Sequence, residues 1–196
     1  NKNNYGFQKY DGLLEKIGSF KFSKLDGINQ IHYKPLFLTK GLVFFNKKGS
    51  IIKYDDKGKI IWKKNHYSKP EKKLKPKLNL AMNNNNLIVA DSIAKYYLVN
   101  IENGELIWSK NNTYPFNSEI KIYKDKFFVV DYKNILRCYF INDGSECWNL
   151  QTEDSFTISD IKYSLIVIND LVIFSNSIGD ITAVNTKTGL IKWQLP

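Results

Sequence analysis

Short apolar runs rich in β-branched and aromatic residues recur four times along this chain. Each run is four residues long and has the composition of a buried strand. The runs are Leu42–Phe45, Leu87–Ala90, Phe127–Val130 and Leu171–Phe174. A strand-like stretch precedes each run and another follows it. The pattern therefore predicts at least three short strands in each of four units.

A turn and a fourth strand close each unit. The turn sequences are DDKG, IENG, INDG and TKTG, and each ends in a glycine, a residue that adopts positive φ at little cost. These glycines are Gly58, Gly104, Gly144 and Gly189. Each one predicts a hairpin between the third and fourth strands of its unit.

The four tryptophans of the chain fall at one fixed place, four residues after the turn glycine. They are Trp62, Trp108, Trp148 and Trp193, and they lie 46, 40 and 45 residues apart. Four antiparallel strands repeating at about this interval are typical of β-propeller blades. A large ring at the same place in every blade predicts packing between neighbouring blades.

The predicted fold is therefore all-β, a propeller of about four blades, each a four-stranded antiparallel sheet. The predicted blades span residues 28–65, 74–111, 118–150 and 158–196. Residues 1–27 lack the Gly-x-x-x-Trp unit, and the alternating Phe20 and Phe22 predict one N-terminal strand or extension.

Two of the units resemble a known repeat. GSIIKYDDKGKIIWKK and GDITAVNTKTGLIKWQL are similar to the PQQ-like, or quinoprotein-type, propeller repeat. Asn100 and Asn185 stand where that family favours Asp, whereas Tyr54 and Phe140 depart from the pattern. The resemblance extends from about Ile28 to Pro196.

This resemblance implies a ring of seven or eight blades, of which four blades are a part; a compact four-bladed ring is the alternative. A partial ring exposes an apolar blade face at each end, here near Ile28 and Trp193, and such faces mark interfaces. We expect each face to meet the remaining blades of a longer chain or a second copy.

The resemblance also implies a function. The simple repeats look most like BamB-type propellers of outer-membrane protein assembly, which implies a non-enzymatic scaffold that binds protein partners in the periplasm or cell envelope. The alternatives are a sensor-type dimerisation domain and a fragment of a quinone-dependent dehydrogenase. We expect no catalytic residue, cofactor or metal, because His32 and His66 show no metal-ligand spacing and no nucleophile motif occurs.

The net charge of +10 adds a candidate surface. Lysines are densest between Lys63 and Lys77, which the two prolines place in a loop between blades. The candidate contacts for an anionic partner or a peripheral membrane surface are Lys69, Lys72, Lys73 and Lys75. Nucleic acid is not expected, because Arg137 is the only arginine.

The two cysteines, Cys138 and Cys147, flank the third hairpin turn. A four-residue loop places them opposite each other, within reach of a disulfide, whereas a three-residue loop with a bulge turns them to opposite faces. A disulfide favours an oxidising compartment such as the periplasm. No run of residues has the length of an apolar membrane span.

Overall fold

The computed structural model describes residues 34–153 and 161–196 of the chain. The predicted N-terminal strand of residues 1–27 and the start of the fourth predicted blade lie outside the described residues. The described chain is all-β, with four separate antiparallel sheets of four strands each. The propeller prediction is confirmed.

Each blade is one sheet whose strands follow chain order. The first blade contains β1 (Leu36–Phe37), β2 (Leu42–Phe45), β3 (Ile51–Tyr54) and β4 (Ile60–Lys64). The second contains β5 (Leu78–Asn83), β6 (Asn86–Asp91), β7 (Lys95–Asn100) and β8 (Leu106–Asn111). The third contains β9 (Lys121–Tyr123), β10 (Lys126–Val130), β11 (Ile135–Phe140) and β12 (Glu146–Gln151). The fourth contains β13 (Leu165–Ile168), β14 (Leu171–Ser175), β15 (Ile181–Asn185) and β16 (Ile191–Leu195).

The loops fall at two opposite ends of the blades because successive strands are antiparallel. The connector end carries the links between blades and the turns between second and third strands. The hairpin end carries the turns between first and second and between third and fourth strands. The first strands of the blades lie innermost, as shown by the contacts of β9 with both β5 and β13.

The link between the first two blades contains α1 (Lys69–Lys73). The prediction of a plain loop for this segment is therefore wrong. Ser68 caps the helix through a reciprocal pair of hydrogen bonds with Glu71, and Pro70 sits in the first turn, where its missing N–H costs nothing. No helix in the described part of the chain is long and apolar enough to cross a membrane.

A tryptophan joins each blade to the next. Trp62 packs against the turn glycine of the second blade so closely that a Cβ on Gly104 would lie 2.8 Å from its ring. The Trp62 indole N–H also donates to the carbonyl oxygen of Ile101 at 3.0 Å. The same contact recurs for Trp108 with Gly144 and Ile141, and for Trp148 with Gly189 and Thr186. We call this three-part contact the interlock.

A bulge in each blade sets the position of the tryptophan. The register between the third and fourth strands shifts at one place in every sheet, for example between Leu98 and Val99 in the second blade. The shift follows the turn glycine, whose φ is positive in all four blades. It leaves each tryptophan directly opposite the middle of the third strand, as Trp108 lies opposite Leu98.

The first blade differs from the others in its last turn. Five residues separate the paired Tyr54 and Ile60, whereas six separate Val99 and Leu106 in the second blade. The backbone N–H of Asp55 bonds to Lys59, as that of Asn100 bonds to Glu105, so Asp55 and not Tyr54 is the counterpart of Asn100. The repeat position that the sequence analysis gives to Tyr54 therefore belongs to Asp55, one residue later. The shorter turn has no residue corresponding to Ile101.

An acidic or amide side chain closes the turn between the second and third strands of every blade. Its Oδ1 accepts the backbone N–H groups of the residues two and four positions further along. The four residues are Asn46, Asp91, Asp131 and Asn176. Asp91 and Asp131 are therefore turn-forming residues at matching places.

The core consists of layers between blades. One buried apolar cluster joins the first and second blades, another the second and third, and another the third and fourth. Within the middle layer, the rings of Tyr96 and Tyr139 lie 4.5 Å apart between centroids. Because both faces of the inner blades are covered, their central strands are apolar on both sides.

The two outermost faces differ from each other. In the fourth blade the outward face is exposed, and Trp193 is 40% exposed whereas Trp62 is 8% exposed. In the first blade the outward residues Leu42, Phe44 and Ile52 form a buried cluster together with Tyr54. The expectation of an exposed apolar face at both ends therefore fails for the first blade.

Cys138 and Cys147 are paired as a disulfide across β11 and β12, with their Cα atoms 5.3 Å apart. The hairpin combines the two alternatives drawn from the sequence, because it contains a bulge and still brings the two cysteines together. Cys138 lies opposite Trp148, and Cys147 is the extra residue at the bulge, still within reach of Cys138. Cys138 is fully buried in the layer between the third and fourth blades.

The interlock predicts that Gly144→Ala destabilises the fold through Trp108. A Cβ would lie 2.7 Å from the indole ring and would occupy a residue at φ 68°. We expect a loss of about 2 to 4 kcal/mol, from left-handed backbone strain and displacement of the ring. In a Trp108→Leu background, Gly144→Ala should lower the free energy of unfolding by at least about 1 kcal/mol less than it does in the original protein, as measured by denaturant unfolding.

Gly179→Ala is the matched control for this cycle. Gly179 also has positive φ, but a Cβ there would meet nothing within 4 Å. Its cost should be the same with or without Trp108→Leu. Additive costs for Gly144→Ala and Trp108→Leu would show that the ring does not sit on the glycine.

A second prediction concerns the cysteine pair. In protein purified without reductant, alkylation under denaturing conditions should label neither Cys138 nor Cys147. After reduction, the same treatment should label both. Reduction should lower the free energy of unfolding by about 2 to 3 kcal/mol, as expected for a short closed loop. A Cys138→Ala and Cys147→Ala double variant should be insensitive to reductant. Two free thiols in the unreduced protein would contradict the pairing.

Candidate functional site

Charge is divided unevenly between the two ends of the blades. The lysines in the connections of the connector end are Lys34, Lys47, Lys48, Lys69, Lys72, Lys73, Lys75, Lys77, Lys133 and Lys162, and the acidic residues there are Glu71, Glu119, Asp131, Glu153 and Asp180. At the hairpin end the lysines are Lys40, Lys57, Lys59, Lys124 and Lys187, and the acidic residues are Asp55, Asp56, Glu102, Glu105, Asp125, Asp143 and Asp170. In the described connections, lysine predominates at one end and acid at the other.

Several acidic residues of the connector end are already paired within the protein. Glu119 accepts hydrogen bonds from Lys34 at 2.7 Å and from Lys121 at 3.0 Å. Asp131 is fully buried and contacts Arg137 at 2.8 Å. These carboxylates therefore add little negative charge to the surface that a partner meets.

The four predicted contact lysines lie together at this end. Lys69, Lys72 and Lys73 are in α1, and Lys75 follows it with a positive φ of 51°. Leu74, between Lys73 and Lys75, is 65% exposed. We call residues Lys69–Lys75 the basic helix segment. It combines four lysine side chains with one exposed apolar side chain.

The basic helix segment is held to the blades by buried contacts. Tyr67, just before it, is buried, and its hydroxyl donates to Oδ2 of Asp91 at 2.5 Å. The Tyr97 hydroxyl approaches that of Tyr67 at 3.4 Å. Tyr67 also packs against Gly49, where a Cβ would lie 2.6 Å from its ring. The segment is thus fixed to both the first and the second blade.

Lys95 provides a second attachment. Its ammonium group donates to the His66 carbonyl oxygen at 2.8 Å and to Glu71 at 3.2 Å. Burial acts to raise the pKa of Glu71, but hydrogen bonds from Ser68 and the charge of Lys95 hold that pKa below its usual value. Glu71 therefore stays ionised and serves the helix cap.

The pKa values beneath the segment reflect burial. Burial raises the pKa of Asp91, although the Tyr67 hydroxyl and the backbone N–H groups of Ile93 and Lys95 oppose the shift. Burial also raises the pKa of Tyr67 well above its usual range. Tyr67 therefore remains a hydrogen-bond donor, and the contact with Asp91 is a structural one.

A small cavity lies on the axis where the inner strands begin. Its volume is about 30 Å³, enough to hold an ordered water molecule, and it is lined by residues of the first and second blades and of the links that precede the first, third and fourth blades. Lys34 and Glu119 form an ion pair there, and the Lys162 ammonium group donates to the side-chain oxygen of Asn79. Burial lowers the pKa of Lys162, although Glu119 opposes the shift.

These residues do not fit the quinone cofactor that the alternative of a quinone-dependent dehydrogenase fragment implies. Sites for small organic ligands usually measure about 300 to 1,000 Å³, far more than the axial cavity. Calcium needs several oxygen ligands, and residues 34–153 and 161–196 contain no group of three or more His, Cys, Asp and Glu side chains placed to hold a metal.

A wider cleft of about 620 Å³ lies between the third and fourth blades at the hairpin end. Asp170 forms one of its walls, accepting a hydrogen bond from Tyr123 at 2.5 Å and one from Lys124 at 3.4 Å. The lining mixes both signs of charge, and its acidic and basic groups partly satisfy one another. The cleft therefore lacks the single dominant charge of the connector end.

Solved structures similar to this chain share its fold at low sequence identity. BamB from Moraxella catarrhalis matches with a TM-score of 0.61 and 17% identity, over 82% of this chain and 47% of that one. Quinohemoprotein alcohol dehydrogenase ADHIIG from Pseudomonas putida HK5 matches with a TM-score of 0.67 and 13% identity, over 91% and 35%. The computationally designed Ika4 protein matches with a TM-score of 0.65 and 11% identity, over 88% and 99%. The chain thus spans about half the length of the Moraxella protein.

Comparison with curated proteins gives no significant match. A protein family described as outer membrane protein assembly factor BamB matches residues 47–196, which include the tryptophans and glycines of all three interlocks. Because the match extends over most of the sequence, the chain belongs to the family described as outer membrane protein assembly factor BamB.

Proposed function

We propose that this chain is a non-enzymatic scaffold that binds other proteins in the cell envelope during outer-membrane protein assembly. The connector end is the binding surface, and its partner presents an acidic protein surface. The observation that carries the proposal is the concentration of lysine at one end of the blades, with the basic helix segment held by buried contacts. Family membership supports the role in assembly.

Rigid presentation explains why a propeller suits this role. The loops extend from sheets that pack on each other through buried layers, so the backbone positions of the loops are set before a partner arrives. Pre-ordered contacts lose less conformational entropy on binding. Lysines at the surface mainly speed encounter with an acidic partner, and the exposed Leu74 adds apolar contact once the surfaces meet.

A periplasmic location accompanies the proposal. Disulfides persist in the periplasm and are rare in the bacterial cytosol. The pairing of Cys138 with Cys147 is consistent with folding in such a compartment. The alkylation measurement described for these cysteines bears on the location as well as on the bond.

Site-specific crosslinking in cells tests the binding surface. A photoreactive residue is placed at Lys73 of the basic helix segment or at Lys57 of the hairpin end, both exposed lysines. We expect position 73 to yield adducts that contain an outer-membrane β-barrel protein or an assembly component, identified by mass spectrometry, and position 57 to yield none. Equal adducts from both positions, or adducts with lipid alone at position 73, would overturn the assignment.

Charge removal gives a quantitative form of the same test. Changing Lys69, Lys72, Lys73 and Lys75 to Gln should lower the yield of the partner adduct about 3- to 10-fold, because encounter loses its electrostatic attraction. The control changes Lys40, Lys57, Lys59 and Lys187 to Gln, which removes the same charge from the hairpin end. An equal loss in both variants would show that net charge alone matters.

The anchoring of the segment predicts an effect of Tyr67→Phe. Loss of the hydroxyl leaves Oδ2 of the buried Asp91 without this donor and should cost about 1 to 3 kcal/mol in denaturant unfolding. Amide hydrogen exchange in residues 65–77 should become faster. Tyr114→Phe is the control, because Tyr114 is exposed and its change should cost less than about 0.5 kcal/mol. Unchanged exchange in Tyr67→Phe would show that this contact does not hold the segment.

A further inference from the structure

One wall of the cleft between the third and fourth blades departs from the repeat. Phe140 lines the cleft at the position that holds Asp55, Asn100 and Asn185 in the other blades. Each of those three side chains accepts the backbone N–H of the residue two positions later, and so closes its turn. A phenylalanine side chain has no such acceptor. The third blade therefore gives up a turn hydrogen bond and gains an aromatic wall, and departures of this kind from local rules are typical of functional sites.

Phe140 and Lys126 form the last cross-strand pair on the face that the third blade turns toward the fourth. The next pair on that face, Phe128 and Cys138, is fully buried in the layer between the two blades. The Lys126 ammonium group lies over the Phe140 ring, 5.4 Å from its centroid. The ring thus orients a cation at the place where the buried layer opens into the cleft.

Two lysines of the cleft have no acidic partner. Within residues 34–153 and 161–196, no carboxylate lies within ion-pair distance of Lys126 or of Lys187. Lys124, by contrast, pairs with Asp170 at 3.4 Å. Hydrogen bonds from Tyr123 and Lys124 hold the pKa of Asp170 below its usual value, so this carboxylate stays ionised and is already occupied.

The cleft therefore lacks a negative charge. Its lining contains three lysines and two aspartates, which leaves one positive charge in excess. Asn185 adds a hydrogen-bond donor, because its Oδ1 accepts the backbone N–H groups of Lys187 and Thr188 while its NH₂ group has no acceptor among the described residues. Cationic and N–H groups beside an aromatic wall fit a ligand that has an anionic head and an apolar body.

The two walls are joined to each other across the cleft. The Tyr123 hydroxyl of the third blade donates to Asp170 of the fourth at 2.5 Å, and the Trp148 interlock connects the same blades at Thr186. A site formed in advance loses less conformational entropy when a ligand binds. The volume of about 620 Å³ lies within the range of about 300 to 1,000 Å³ that is usual for small organic ligands.

We infer that this cleft is a binding site for a small organic anion with a planar apolar body and a carboxylate or sulfonate head. The body packs beside the Phe140 ring, and Lys126 and Lys187 contact the head. This inference does not depend on the proposed function, whose binding surface lies at the opposite end of the blades.

Two probes of one shape test the inference on the full chain. Naphthalene-2-sulfonate has the planar body and the anionic head, and naphthalene-2-sulfonamide has the same body with a neutral head. Amide signals of residues 123–126 and 185–188 in ¹H–¹⁵N NMR titrations report binding at the cleft itself. We expect these signals to give the sulfonate at least about fivefold higher affinity, because only the sulfonate forms ion pairs with the two lysines. Equal affinities would overturn the requirement for an anion.

Removing the two lysines tests how the charge is read. Changing Lys126 and Lys187 to Gln should weaken binding of the sulfonate about fivefold and leave that of the sulfonamide unchanged. The control changes Lys40 and Lys57 to Gln, which removes the same charge from the hairpin end of the first blade. An equal loss in the control would show that net charge alone attracts the sulfonate and would overturn the assignment.

Removing the ring tests the aromatic wall. Phe140→Asn restores the residue type of the second and fourth blades and supplies the missing acceptor for the turn, so the fold should be kept, as thermal unfolding will show. Both probes should bind at least about fivefold more weakly, because both contact the ring. Phe140→Leu removes the ring but keeps an apolar side chain above the buried layer, and it should weaken both probes in the same direction. Unchanged affinity in the two variants would overturn the inference.

The exposed apolar face of the fourth blade is the other place where a planar probe can bind. Signal changes confined to β13 and β16, with none in residues 123–126 and 185–188, would place both probes on that face and overturn the inference. Absence of any change at millimolar concentrations of the sulfonate would overturn it as well.

Discussion

The contact of an indole ring with the backbone of the next blade is the constraint on which this fold depends. The ring needs a residue without a side chain beneath it, and the turn needs a residue that adopts positive φ. Glycine meets both demands at Gly104, Gly144 and Gly189. The indole N–H then satisfies a buried carbonyl that would otherwise be left unpaired. One contact thus sets both the spacing of the blades and the geometry of their turns.

Much of the architecture follows from sequence because it is repeated. Four apolar runs, four turn glycines and four tryptophans predict the blades and their strand order. The partner of each tryptophan could not be predicted in the same way. Within one repeat, Gly58 and Trp62 are neighbours, and the period alone does not reveal that the ring lies on the glycine one repeat later. Contacts between repeats depend on the stacking angle of the sheets.

The departures of the structure from the predictions have local causes. The sequence analysis does not predict the helix α1 because the two prolines of the segment favour a loop, although Ser68 and Glu71 have the spacing of a capping box. Tyr54 was aligned with Asn100 because each lies four residues before its turn glycine. That count gives the wrong residue in the first blade, whose turn is one residue shorter. The axial cavity was inaccessible to sequence analysis, because Lys34, Asn79, Glu119 and Lys162 come from four separate repeats. Only the closure of the inner strands brings them together.

The five-residue turn of the first blade bears on self-association of the protein into filaments. A protein with a ring-bearing face at one end and a matching turn at the other could add copies head to tail without limit, because a heterologous contact that does not close on itself generates filaments. Here the first blade lacks the accepting residue and its outward face is buried. The shorter turn of the first blade thus closes one route to fibre growth between copies of this chain, although the fourth blade exposes its tryptophan.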